Sequence, residues 1–199
     1  MNANKSRIIL VISAFLGGLV VFLGVILFVS GHGPSIGGGS ISAIGGPFDL
    51  IDQNGKPITD RDMKGKPFLV FFGYTHCPDV CPTTLFETSE VMRALGKDAD
   101  RTAMLFVSVD PDRDTPPVLK DYLSSFDPHL RGVTGTADGL AKIEREYRVY
   151  SKKIPEKNGE YSMDHSAVVY LMDKDGHFVA PFNLKRRPEA SADDLRKYM

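Results

Sequence analysis

A run of five apolar residues, Phe68-Leu69-Val70-Phe71-Phe72, leads through Gly73-Tyr74-Thr75-His76-Cys77-Pro78-Asp79-Val80-Cys81-Pro82 into a helix-like segment. Cys77 and Cys81 are the chain's two cysteines, and both stand at this strand-to-helix turn. A continuous apolar run of this length is what a strand buried on both faces requires. A chain built around it must cover both sides of its sheet. Two thiols at the turn point to redox or metal chemistry, because a disulfide closing so short a loop gives little chain-entropy stabilisation. Projecting from a helix N-terminus, sulfurs meet unpaired N–H groups and the positive end of the dipole, which favour thiolates.

The rest of the globular region, 47–199, alternates strand and helix signals. Phe48-Asp49-Leu50-Ile51 and Lys56-Pro57-Ile58 flank Asp52-Gln53-Asn54-Gly55, whose Asn-Gly pair signals a hairpin. A helix is expected from Pro82 to about Lys97 and a second buried strand over Ala103–Val109. Asp114-Thr115-Pro116-Pro117 reads as a cap opening a helix over Val118–Phe126, Asp138 as the cap of a helix reaching about Tyr150, and Ser191 as the cap of a last helix. Ala167–Met172 and His177–Phe182 read as strands around the turn Asp173-Lys174-Asp175-Gly176. Alternating elements with one hairpin-like pair imply an α/β domain with a central mixed sheet flanked by helices and an N-terminal hairpin extension. The element order is that of a thioredoxin-like domain.

Residues 8–29 form an apolar stretch without charge, long enough as a helix of about 33 Å to span a hydrocarbon core. It exceeds the roughly 7–15 residues of a signal-peptide core. We therefore expect one transmembrane helix over 8–29, a short cytoplasmic N-terminus over 1–7 and a flexible Gly/Ser-rich linker over 30–46. Lys5 and Arg7 precede the stretch and no acidic, Lys or Arg residue follows until Asp49, so the positive-inside bias puts the domain on the far side. A single-pass protein of a bacterial inner membrane with a periplasmic C-terminal domain fits best. That compartment is oxidising, and a thiol reductant such as a periplasmic thioredoxin-like protein would be needed to keep the pair reduced. The net charge of -1 and the lack of a long charge run give no reason to expect a nucleic-acid partner.

Three residues separate the cysteines, where a thioredoxin-type redox motif has two. The extra residue widens the bite toward what two sulfur bonds of about 2.3 Å to one ion require. A metal held by two thiolates needs a further ligand, and five histidines are available. His32 lies in the linker, His129 in a loop after Asp127-Pro128, and His177 at the start of the return strand, so each reads as a surface residue. His76 adjoins Cys77 and reads as a supporting or partner-contacting residue. His165, in Met163-Asp164-His165-Ser166 before the third apolar strand, occupies the loop that lies beside the cysteine turn in a thioredoxin-like topology. Two thiolates and one imidazole suit Cu(I) and Cu(II), and zinc accepts the same donors.

Gly73–Pro82, the later Val109-Asp110-Pro111-Asp112-Arg113-Asp114-Thr115-Pro116, and Asp164-His165-Ser166 with Tyr170-Leu171 resemble the Sco/SenC family. The resemblance implies a membrane-anchored, thioredoxin-like copper protein that helps assemble the dinuclear copper centre of cytochrome c oxidase. It implies Cys77, Cys81 and His165 as copper ligands, and the oxidase copper-centre subunit or another copper protein as partner. Asp164 and Asp110 are expected to support the site, Asp164 by orienting His165. The stretch Asp110, Asp112, Asp114 is not a calcium loop, since the required Gly and Glu places hold Thr115 and Asp121. The alternative activity for Cys77 and Cys81 as a redox-active pair is thiol-disulfide reduction of partner cysteines. A thiol peroxidase is disfavoured, because Tyr74 and Pro78 stand where peroxiredoxins place threonine.

Overall fold

The computed structural model describes residues 13, 15–26, 44–157 and 159–199. The chain divides into two units, Met1–Ser42 and Ala43–Met199. In the first, residues 15–26 are helical and their apolar side chains, Phe15, Phe22 and Ile26 among them, are exposed. Among the described residues no helix is long and apolar enough to cross a membrane. The remainder of the expected 8–29 span, the 1–7 terminus, and most of the 30–46 linker lie outside the described residues. The described end of that linker is packed: the Gly45 N–H donates to the Glu146 carbonyl at 2.9 Å.

The second unit is built on a seven-stranded mixed sheet. In chain order its strands are β1 (Asp49–Asp52), β2 (Pro57–Thr59), β3 (Phe68–Gly73), β4 (Ala103–Ser108), β5 (Leu130–Thr134), β8 (Val169–Met172) and β9 (Phe178–Pro181). Their spatial order is β2-β1-β5-β4-β3-β8-β9. β3, β4 and β5 are parallel to their neighbours within that trio, and the flanking pairs are antiparallel. Every residue of β3 and β4 is buried, as strands covered on both faces must be. Burying Phe71, Phe72 and Phe106 contributes about 1.5–3 kcal/mol each. Gly55, at φ +74°, supplies the left-handed residue of the β1–β2 turn.

Helix α1 (Val80–Leu95) buries Cys81, Leu85, Thr88, Met92 and Leu95, spaced alternately four and three residues apart, and packs against α4 (Pro188–Arg196). Between these two in the sequence come α2 (Pro116–Leu123), packed on β5, and α3 (Ala137–Tyr147), packed on β1. α1 begins two residues before the expected Pro82. Proline is tolerated there because first-turn N–H groups have no intrahelical partner.

Three expected caps are replaced. Asp114 is buried and accepts hydrogen bonds from Thr75 and Ser108, and Thr115 stands at the α2 N-cap. Thr136, not Asp138, caps α3 by accepting the Gly139 N–H. Ser191 lies inside α4 and donates to the Asn183 carbonyl. Two further elements carry no clear sequence signal. They are β5, interrupted by Arg131 and Gly132, and a separate hairpin of β6 (Ser151–Pro155) and β7 (Tyr161–His165).

Candidate metal centre

Cys81 reaches its place because β3 ends in a glycine. A Cβ built on Gly73 would lie 2.7 Å from the Cys81 Sγ and 2.7 Å from Phe106, closer than real Cβ contacts approach. The missing side chain lets the first turn of α1 press its sulfur onto the strand. Cys77 precedes the helix and turns back over it, its sulfur accepting the Cys81 N–H at 3.4 Å. That N–H is one of the first-turn donors without an intrahelical partner. Asp79, at the N-cap, makes no side-chain capping bond, so the Cys77 sulfur takes over part of that role. Both thiols are free and both cysteines are buried.

His165 ends β7, where a loop was expected, and comes from a hairpin outside the main sheet, 84 residues along the chain from Cys81. Its Nε2 lies 3.6 Å from the Cys81 Sγ. Its Nδ1 lies 3.1 Å from the Ser166 carbonyl. A carbonyl oxygen only accepts, so Nδ1 donates there, and Nε2 is the ring nitrogen that faces the sulfur. Tyr74 and Phe71 meet the imidazole edge-on, with centroids 5.7 and 6.3 Å away. The two sulfurs and one imidazole nitrogen lie within 4.8 Å of one another. Bonds of about 2.3 Å to sulfur and about 2.0–2.1 Å to nitrogen place such donors at most about 4.6 Å apart around one ion. The donor set can therefore close on one soft metal ion by drawing the three atoms together. Burial pushes the Cys81 thiol up, with Cys77 and Asp114 adding to it and a backbone hydrogen bond at Tyr74 opposing.

The other expected residues stand elsewhere. Asp164 is exposed on β7, and the Ser166 carbonyl, not its carboxylate, orients His165. His76 is exposed, its Nδ1 3.1 Å from the Thr75 hydroxyl. Asp110 is buried and bonded to Arg113 and to the Tyr161 hydroxyl. Below the turn, Asp114 accepts from the Thr75 hydroxyl at 2.6 Å and from Ser108 at 2.7 Å, tying the cysteine loop to the end of β4. Burial raises its carboxyl against those hydrogen bonds. His129 is held between Asp127 and Asp100, away from the sulfurs. His32 lies outside the described residues. His177 joins Asp173 and Asp175 at the exposed β8–β9 turn, where Asp173 is used in accepting the backbone N–H groups of both. The sequence reading left Tyr74, Arg113 and Tyr161 unassigned. Their only signal was proximity to the cysteine turn, the acidic stretch and His165.

Two free thiols and an imidazole, gathered at the strand-to-helix turn of a thioredoxin-like domain, define a thiol-based metal-binding or redox protein. None of the described peptide bonds is cis, so the cis-proline that thioredoxins place near this turn has no counterpart among them. Residues 38–199 match the SCO1/SenC family, and the chain belongs to it. An SCO2-like protein of Rickettsia felis is 34% identical over 98% of this chain and 98% of its own length. The mitochondrial protein SCO2 of Saccharomyces cerevisiae is 40% identical over 78% of this chain, and the matched region is about half (52%) of that protein. Among solved structures, Bradyrhizobium japonicum ScoI with copper bound is 65% identical, with a TM-score of 0.77, covering 79% of this chain and 100% of that one.

Proposed function

We propose that this protein is a membrane-anchored copper metallochaperone that holds its cargo between Cys77, Cys81 and His165. The observation that carries this reading is the convergence of the three donor atoms within 4.8 Å, in a domain 65% identical to one solved with copper bound. Two soft sulfurs suit Cu(I), and adding the imidazole lets the same site hold Cu(II). Cys77, at 8% relative exposure, is the donor from which ligand exchange with a partner would start. By its family, the recipient is the subunit carrying the dinuclear copper centre of cytochrome c oxidase, or another copper protein.

Titrating the reduced protein with Cu(I) and Cu(II) separately tests the site. His165→Ala is expected to weaken Cu(II) binding beyond the roughly 10–100-fold typical of losing an outer-shell partner, while Cu(I) stays bound to the two sulfurs. Equal Cu(II) affinity in variant and wild type would sink the reading.

A second activity draws support from the same atoms. Both thiols are free, so the pair can reduce a partner disulfide: two electrons and two protons pass to the partner as Cys77 and Cys81 close their own disulfide. This would prepare partner cysteines for metal, and it does not need His165. The His165→Ala protein should therefore keep its thiol exchange.

The exposed apolar side chains of 15–26 and the apolar composition of 8–29 support an N-terminal anchor. The domain would then lie in the periplasm, tethered through the 30–46 linker to a bacterial inner membrane. Protease added to spheroplasts should digest the domain; protection of the domain until the membrane is lysed would refute that orientation.

A further inference from the structure

His165 is not part of the main sheet. β6 and β7 pair only with each other, so the seven-stranded ladder does not fix how far the imidazole stands from the sulfurs. A column of side chains contributes, beside the Ser151 hydroxyl bond to Glu144 and the Phe71 ring against the imidazole. The Lys153 Nζ lies 4.0 Å from the centre of the Tyr161 ring, and the Arg113 guanidinium carbon lies 3.7 Å from the same centre. That guanidinium also lies 5.7 Å from the centre of the Tyr74 ring. Tyr74 in turn meets the His165 ring at 5.7 Å and 90°. The stack thus runs Lys153, Tyr161, Arg113, Tyr74, His165. It alternates cations with aromatic faces and ends on the imidazole.

Polar bonds lock the column to the main fold. The Tyr161 hydroxyl donates to Asp110 at 2.8 Å, the Arg113 Nε donates to the same carboxylate, and the Arg113 Nη1 donates to the Tyr161 carbonyl at 2.9 Å. Lys153 adds an ion pair with Asp112. Asp110 is 1% exposed, two residues past the end of β4, and its N–H donates to the Ser108 hydroxyl at 3.0 Å, which ties the anchor point to that strand. Arg113 is committed here: its side chain is largely buried, and its remaining Nη2 finds no other partner among the described residues.

We infer that Arg113 and Tyr161 are positioning residues for the metal centre, holding the β6–β7 hairpin so that the site offers three donors instead of two. The inference rests on the proposed copper site and adds a control over which oxidation state it keeps. With the hairpin docked, the imidazole completes a site for Cu(II). With it released, the two sulfurs remain at the β3–α1 turn, Cys77 in the turn itself and Cys81 in the first turn of α1, enough for Cu(I) alone.

The test compares Tyr161→Leu, Tyr161→Phe and His165→Ala in the full chain. Tyr161 is half-exposed, so its truncation leaves the core intact. In the reduced, metal-free Tyr161→Leu protein, amide hydrogen exchange over 161–165 is expected to accelerate while β3 and β4 stay protected. Its Cu(II) affinity should fall roughly 10–100-fold, with loss of the sulfur-to-Cu(II) absorption, and its Cu(I) affinity should hold. Tyr161→Phe keeps the ring between Arg113 and Lys153 and should restore most of both signals. Wild-type exchange at 161–165, or a parallel fall in Cu(I) and Cu(II), overturns the positioning role. Undiminished Cu(II) binding by His165→Ala overturns the metal site itself, and the exchange measurement then still decides whether Tyr161, on its Arg113 contact, holds the hairpin.

Discussion

Cys81→Ser is expected to abolish tight copper binding in both oxidation states, the largest functional effect of any single change in this domain. Cys81 is fully buried, its Sγ lies 3.6 Å from the His165 Nε2, and its backbone N–H is bonded to Cys77. Removing it leaves one thiol and one imidazole, and a hydroxyl is a poor donor to a soft ion. The loss should exceed the roughly 10–100-fold that changes beyond the coordinating atoms cost. Serine is nearly isosteric, so the fold should survive. A buried hydroxyl without a full set of partners costs about 1–3 kcal/mol. Competition titrations with Cu(I) and Cu(II), beside an unfolding curve, separate the two effects. Copper affinity within tenfold of wild type would show that Cys81 is not a ligand.

The second large effect is predicted for Gly73→Ala. Its Cβ has nowhere to go. One blocking atom is the Cys81 sulfur at 2.7 Å, fixed in the first turn of α1, and another is the Phe106 ring at 2.7 Å, itself packed against Phe71 and Tyr122. Phe71 closes the third side at 3.2 Å. Overpacking of this kind costs about 1–3 kcal/mol, and here the yielding atom is a proposed metal ligand. The unfolding midpoint and the Cu(II) affinity should therefore fall together. A variant with wild-type stability would mean that α1 slides away from β3 at little cost.

The sequence was informative wherever the signal was local. The apolar runs of β3 and β4 had to be doubly covered strands. The Asn-Gly pair had to turn the first hairpin, and the cysteine spacing had to put two sulfurs at a helix start. Cap identities were less legible. Asp114, Asp138 and Ser191 are all suitable capping residues, and tertiary partners diverted Asp114 and Ser191. β5 escaped notice because Arg131 and Gly132 interrupt its pattern. Gly132 is small because Leu123 and Leu119 of α2 pack on it, a constraint that its sequence neighbours do not carry.

The sequence by itself determined the donor types, the pairing of Cys77 with Cys81, and a thioredoxin-like order of elements, because periodicity, turn chemistry and helix-start geometry act over a few residues. Only the tertiary structure decided that His165 stands 3.6 Å from Cys81, on a separate hairpin held by Arg113 and Tyr161. Those contacts join residues tens of positions apart, and burial and charge pairing between separate elements fix their distances.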